Sequence, residues 1–165
     1  MARRAVSHVV LLIAIVATIG CDQVTKRIAT SSMAHTSGRS YLVDTIRLQY
    51  TENTGGFLGL GGDLPPAARS AIFIGATGFM LVGMVVFAVR DRLRGLALLG
   101  ATLFVAGGAS NWVDRVLHGR VVDFINLGIG PVRTGIFNVA DVALMLGGAL
   151  IFVAQLRKRE TGDAP

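Results

Sequence analysis

The chain is short of charge. Asp, Glu, Lys and Arg make up only 16% of its 165 residues, against about 25% in an average soluble domain. Hydrophobic residues make up 52% and the mean hydropathy is +0.61, so there is too little polar surface to wrap a large domain in water. Cysteine occurs once, as Cys21. A single thiol excludes an internal disulfide and leaves the redox compartment open. The three histidines, His8, His35 and His118, are scattered without ligand spacing, so no metal and no cofactor are expected. Aromatics are sparse at 7% and no basic run is interleaved with them, so the net charge of +6 does not point to nucleic acid.

What the chain has is long apolar runs. A membrane-spanning helix needs about 20 apolar residues, and three segments supply them. The first, 67–89, follows Pro65-Pro66, a pair that suits a helix start, and carries one charge, Arg69. The second, 95–113, is uncharged, and the third, 136–156, is broken only by Asp141. A fourth candidate, 6–29, is ambiguous because its strictly apolar part, Val9 to Cys21, is 13 residues long. With Arg3 and Arg4 before it and Gly20-Cys21 at its end, it has the layout of a bacterial lipoprotein signal. It becomes a span only if the helix continues through Asp22 and Lys26, which are spaced i, i+4 with the acid first, the favourable order on one helix face.

Basic residues suggest the topology. Arg3, Arg4, Arg90, Arg92, Arg94, Arg157, Lys158 and Arg159 crowd into three short segments, while the other eight are spread over 22–69 and 114–135 with most of the acidic residues. The positive-inside rule then puts both termini and the 90–94 turn in the cytoplasm. Cleavage before Cys21 would leave three spans and set the termini on opposite sides, against this pattern. Thr18 also stands where a lipoprotein signal usually has leucine. The expected architecture is an all-α membrane protein, a four-transmembrane-helix bundle with a small extracytoplasmic β element at about 37–63. The alternation in "YLVDTIRLQY" reads as one or two short strands, "NTGG" as a turn, and "GRVVDFINL" as a further strand. Residues 160–165 read as a disordered tail. Gly107, Gly108, Gly147 and Gly148 are expected to permit close helix packing, Trp112 to anchor at the membrane interface, and Cys21 to be a small buried hydrophobe.

Acidic residues near the ends of spans need a reason, since one costs roughly 2.5–3.5 kcal/mol at a helix centre on insertion scales. Asp22, Asp114, Asp123 and Asp141 all fall at or near the outer ends. In "SNWVDR", Asn111, Asp114 and Arg115 share a helix face, so Asp114 has a partner beside it and an orienting job is expected. In "FNVAD", Asn138 and Asp141 repeat the i, i+3 spacing without a basic neighbour, and in "GRVVDFI" Asp123 stands among apolar residues. Asp123 and Asp141 are thus the carboxylates left unneutralised. Brought together they would share a proton, one acting as base on water and the other as acid on a carbonyl. Asp22 with Lys26 also fits a plain surface ion pair, and Asn53 a residue that merely favours its turn.

The motifs "DQVTK", "NTGGF", "GGASNWVDR", "VVDFI" and "FNVAD", in this order, resemble the motif series of the lipoprotein signal peptidase (signal peptidase II) family. The resemblance runs from about Val9 to Leu156. It implies an intramembrane aspartic endopeptidase of the bacterial inner membrane that removes signal peptides from diacylglyceryl-modified prolipoproteins just before the lipidated cysteine. Its catalytic aspartates would be Asp123 and Asp141, supported by Asp22, Lys26, Asn53, Asn111, Asp114, Arg115 and Asn138. Ser110 stands where the family usually has glycine, and Gly56 where alanine is common. The expected partners are prolipoprotein substrates and membrane lipids, with the chain as a monomer. A small proton-coupled carrier using the same carboxylates is the competing reading, although carriers place such groups near the midplane on broken helices.

Overall fold

The structure is a computed structural model that describes residues 2–56 and 60–160. Phe57 of "NTGGF" and residues 161–165 of the expected tail lie outside the described residues. Four long helices and a four-stranded antiparallel sheet follow one another as α1 (Ala2–Met33), β1 (Arg39–Tyr41), β2 (Ile46–Asn53), α2 (Pro66–Arg90), α3 (Gly95–His118), β3 (Val121–Ile129), β4 (Val132–Arg133) and α4 (Val139–Glu160). All four helices are long and apolar enough to cross a membrane.

Helix α1 does run on through Asp22 and Lys26, which continue the helix because both side chains are buried against other helices. Cys21, one residue earlier, is exposed, not buried as expected, because the helix turns about 100° per residue and carries it off the packed face. Helix α2 contains a π-helical stretch, Ala71–Ala76. Inside it the Ile74 carbonyl accepts the indole N–H of Trp112 at 2.8 Å. Trp112 is therefore half-buried against α2, with its polar edge satisfied by protein backbone and not by the headgroup layer. Helix α3 extends to His118, past the 113 expected, since Asp114 can stay helical once paired inside the bundle. It stops at Gly119, whose φ of 70° closes the end with a 2.9 Å bond from its N–H to the Arg115 carbonyl, a left-handed cap that glycine adopts without steric cost.

Helices α3 and α4 pack backbone to backbone. A Cβ on Gly147 would lie 2.6 Å from the Gly100 carbonyl, and one on Gly107 would lie 2.3 Å from the Ala140 carbonyl. Small residues let helices approach this closely in an apolar solvent, where dispersion has to replace the hydrophobic effect. Gly108 meets only the Leu81 side chain, and Gly148 has nothing within 4 Å, so Gly148 is not a packing glycine. Gly107→Ala is expected to destabilise the bundle by about 1–3 kcal/mol, since backbone on the far side cannot yield. Thermal unfolding in detergent, compared with Gly148→Ala, measures it, and the second substitution should be near neutral.

The sheet draws on both segments between helices, with strand order β1-β2-β3-β4. Register pairs Thr51 with Asp123 and Asn53 with Val121, after a bulge between Leu48 and Thr51. The segment following β4 folds back on β3 through a single bridge. Phe137 donates to the Ile125 carbonyl at 2.9 Å and accepts from the N–H groups of Phe124 and Ile125. That pairing starts α4 three residues later than expected and sets Asn138 and Asp141 beside Asp123.

Candidate active site

The site lies where the sheet meets the ends of α1, α3 and α4. Asp22, Asp123 and Asp141 are 0, 2 and 6% exposed, so their hydrogen-bond partners decide what each can do.

Asn138 joins the two carboxylates. Its Nδ2 donates to Asp123 Oδ1 at 2.6 Å, and its backbone N–H donates to Asp141 Oδ2 at 3.1 Å. In return the Asp141 N–H donates to Asn138 Oδ1 at 2.9 Å. This is the reciprocal capping arrangement of a helix N-terminus, so the i, i+3 spacing in "FNVAD" is a cap that also presents Asp141 toward β3. The remaining oxygens are held as well. Asn53 Nδ2 donates to Asp123 Oδ2 at 2.8 Å, and Asn111 Nδ2 donates to Asp141 Oδ1 at 2.9 Å. Among the described residues, both carboxylates thus receive two N–H donors from neutral groups and none from a cation.

A second carboxylate-rich layer stands behind the first. Lys26 Nζ uses its three hydrogens on Asp22 Oδ2 at 2.6 Å, Asp114 Oδ2 at 2.6 Å and Asn111 Oδ1 at 2.7 Å. This is a buried ion cluster and not a surface pair. Asp22 Oδ1 accepts the Ala140 N–H at 2.9 Å, so a side chain of α1 caps the first turn of α4, where the helix dipole favours a negative group. Gln23 Nε2 reaches Asp114 Oδ1 at 3.0 Å and Ser110 Oγ at 3.1 Å, and Ser110 donates to Asp22 Oδ2 at 2.7 Å.

Sequence reasoning missed Gln23 and Ser110. Gln23 sits in "DQVTK" one helical turn before Lys26, on the face that meets α3. Ser110 could have been found from the one hydroxyl in the glycine-rich run before Asn111.

Asp114 and Arg115 part company, contrary to the expected local pairing. Successive helix residues point about 100° apart. Asp114 therefore faces α1, while Arg115 donates through Nε and Nη2 to the Gly55 carbonyl at 3.1 and 2.6 Å. The guanidinium also lies over the Phe73 ring, 5.8 Å from its centre. It holds the turn after Asn53, in which the Gly55 N–H donates to Asn53 Oδ1 and Asn53 Nδ2 reaches the Gly56 carbonyl, each at 2.8 Å. Asn53 thus shapes its turn and binds Asp123 at once. A Cβ on Gly56 would sit 2.6 Å from the Phe73 ring, so the ring would have to shift to admit alanine there.

A cavity of about 210 Å³ opens onto Asp123, lined also by Thr51, Asn53, Thr54 and Ile136. Burial pushes the Asp123 carboxyl up to about 6, the Asn53 N–H opposes this, and the nearby charge of Asp141 adds to it. Because the Asn53 donor favours the ionised form, Asn53→Ala makes Asp123 a weaker acid. The Asp123 carboxyl is expected to titrate about one unit higher in that variant, and where its ionisation controls turnover the pH–rate limb moves with it. A profile that stays in place would remove Asp123 from the rate-controlling ionisations.

The fold and site define a multi-pass membrane protein with a buried carboxylate pair at one end of a four-helix bundle. A model of the family described as signal peptidase (SPase) II matches residues 14–157. The chain belongs to the signal peptidase II family and is a membrane protease of that family. It is 32% identical over 148 residues to a lipoprotein signal peptidase of Staphylococcus aureus strain MRSA252, covering 89% of this chain and 87% of the relative. A lipoprotein signal peptidase of Streptococcus pneumoniae strain R6 is 29% identical, over 99% of this chain and 100% of the relative. Among solved structures, a bacterial membrane enzyme determined by the in meso method at 2.3 Å resolution superposes with a TM-score of 0.81 at 29% identity, covering 92% of this chain and 90% of that one.

Proposed function

We propose that the chain is an intramembrane aspartic endopeptidase that removes the signal peptide of diacylglyceryl-modified prolipoproteins by cutting before the lipidated cysteine. The observation that carries this reading is the bridge made by Asn138 between two buried carboxylates that, among the described residues, have no cationic hydrogen-bond partner of their own. Such a pair holds one proton between them, because both cannot ionise cheaply at close range. The ionised member takes a proton from water as the oxygen attacks the scissile carbonyl carbon. The protonated member gives its hydrogen to the carbonyl oxygen. The tetrahedral intermediate then collapses: one of its hydroxyls returns a proton to the carboxylate that gave one, the C–N bond breaks, and the departing nitrogen receives the proton taken from water.

The remaining polar residues position this pair. Asn53, Asn111 and Asn138 orient the carboxylates; Asp22, Lys26 and Asp114 lock α1 to α3 and α4; Arg115 holds the turn that carries Asn53. The basic residues crowded at the opposite end of the bundle support an orientation with both termini cytoplasmic and the site near the extracytoplasmic face of the bacterial inner membrane. No step calls on a second protomer, so the chain acts as a monomer among membrane lipids.

Purified protein incubated with a synthetic prolipopeptide, with and without the diacylglyceryl group on its cysteine, tests the reading. Cleavage of the lipidated peptide alone, giving a product that begins at the cysteine, is the expected outcome. Proton-coupled uptake into liposomes without any cleavage would favour the carrier instead.

A further inference from the structure

Arg69 is the one charge in the apolar run 67–89, and neither topology nor helix chemistry asks for it. It stands in the first turn of α2, where the helix dipole disfavours a cation. It also lies at the end of the bundle away from the three basic clusters, where the positive-inside rule gives no reason for it. Its contacts supply the reason. One guanidinium nitrogen, Nη1, donates to Thr54 Oγ1 at 3.2 Å and to the Gly62 carbonyl at 3.1 Å. Thr54 and Gly62 belong to the two arms of the loop between β2 and α2, and both line the cavity of about 210 Å³ that opens onto Asp123. A single side chain thus ties two walls of that cavity together.

Phe73, four residues further along the same helix, supports both arms as well. A Cβ on Gly56 would lie 2.6 Å from its ring and one on Gly61 would lie 3.0 Å from it, so the ring packs against the loop on both sides. Phe73 sits in the π-helical stretch Ala71–Ala76, a local widening that recurs at functional sites. The arms are also joined to each other, the Gly56 N–H donating to the Leu60 carbonyl at 2.7 Å. Asn53, by contrast, is held through Gly55 by Arg115. Loss of Arg69 therefore loosens the cavity while leaving the hydrogen bonds of the carboxylate pair in place.

We infer that Arg69 is a positioning residue for the substrate. Acting through Thr54 and Gly62, it sets the width of the cavity beside Asp123 in which the peptide next to the scissile bond is held. The role in substrate binding rests on the protease reading, whereas the clamp on the loop does not.

Hydrogen–deuterium exchange of the full-length protein in detergent tests the clamp, and steady-state cleavage of a diacylglyceryl-modified prolipopeptide tests its role. In Arg69→Met the Gly56 N–H should exchange roughly tenfold faster, while the N–H groups of α3 keep their wild-type protection. KM should rise about tenfold with kcat within about twofold of wild type, the pattern of lost uniform binding. Arg69→Lys should recover most of the loss, since both bonds come from one nitrogen and an ammonium carries hydrogens for both. Unchanged exchange in Arg69→Met would overturn the clamp whether or not the protein cleaves the peptide. A fall in kcat with KM unchanged, or a lysine variant no better than methionine, would overturn the role in holding substrate. Absence of cleavage by the wild type would instead sink the protease reading, and the exchange result would still decide the clamp. Thr54→Val, which removes one of the two acceptors, gives the same reading if Arg69→Met does not purify.

Discussion

Asp123→Asn and Asp141→Asn are each expected to lower the rate of prolipopeptide cleavage by about 10³-fold or more while leaving an inserted, folded protein. General acid–base catalysis is worth about 10²–10⁴-fold per group, and in the proposed mechanism the two groups act as one unit. An amide can neither take a proton from water nor deliver one to a carbonyl. The replacement also disturbs hydrogen bonding in a known way. Asp123 accepts from Asn53 Nδ2 and Asn138 Nδ2, and Asp141 accepts from Asn111 Nδ2 and the Asn138 N–H. An asparagine at either place must turn its own NH₂ toward a donor and lose one bond, a cost of about 1–3 kcal/mol. A modest fall in Tm beside a near-total loss of turnover is therefore the signature, and the double variant should be little worse than either single one. Cleavage at the wild-type rate by either variant would end the aspartic mechanism.

Lys26→Met is expected to act on stability first. Lys26 Nζ is 2.6 Å from both Asp22 and Asp114, and its side chain is only 6% exposed. Removing the cation leaves two carboxylates without compensation in a site that water barely reaches. Breaking a buried ion pair by deleting one partner costs about 3–5 kcal/mol. The loss also leaves Asn111 Oδ1 with only the 3.2 Å bond from Asn138 Nδ2, so Asn111 is held less firmly against Asp141. Thermal unfolding in detergent should show a large downward shift. Adding Asp114→Asn to Lys26→Met should recover part of it, because one of the uncompensated charges is gone. If the single variant unfolds like wild type, the cluster is not what joins α1 to α3.

The helices were legible because a span is written in consecutive residues. Length and apolar content locate 67–89, 95–113 and 136–156 without reference to anything distant. The ends were less so, since they depend on partners elsewhere. Helix α3 passes 113 only because Asp114 meets Lys26 of α1, and α4 waits until Val139 because Phe137 pairs with Ile125. Candidate site residues were legible as types, since polar side chains are expensive in such a chain, but their pairings were not. Asp114 and Arg115 adjoin in sequence and diverge in space. Asn138 and Asp141 showed their spacing, yet the cap it encodes is visible only with the backbone N–H groups in place. Gln23 and Ser110 carry no charge, so although Ser110 stood out as a small-residue departure, the part either plays was visible only once α1 and α3 were seen in contact.

The cluster around Lys26 also bears on how the chain is made. Helix α1 leaves the ribosome before α3, and Asn111 and Asp114, which it binds, follow 85 and 88 residues behind Lys26. Through that interval Asp22 and Lys26 have no later helix to lean on and have only each other, one turn apart. A counter-ion built into the same helix lets Asp22 and Lys26 enter the bilayer as a neutral pair and wait for their partners. Placing the acid and the base on different helices would give the same finished cluster, but it would send an unmatched charge into the membrane during synthesis.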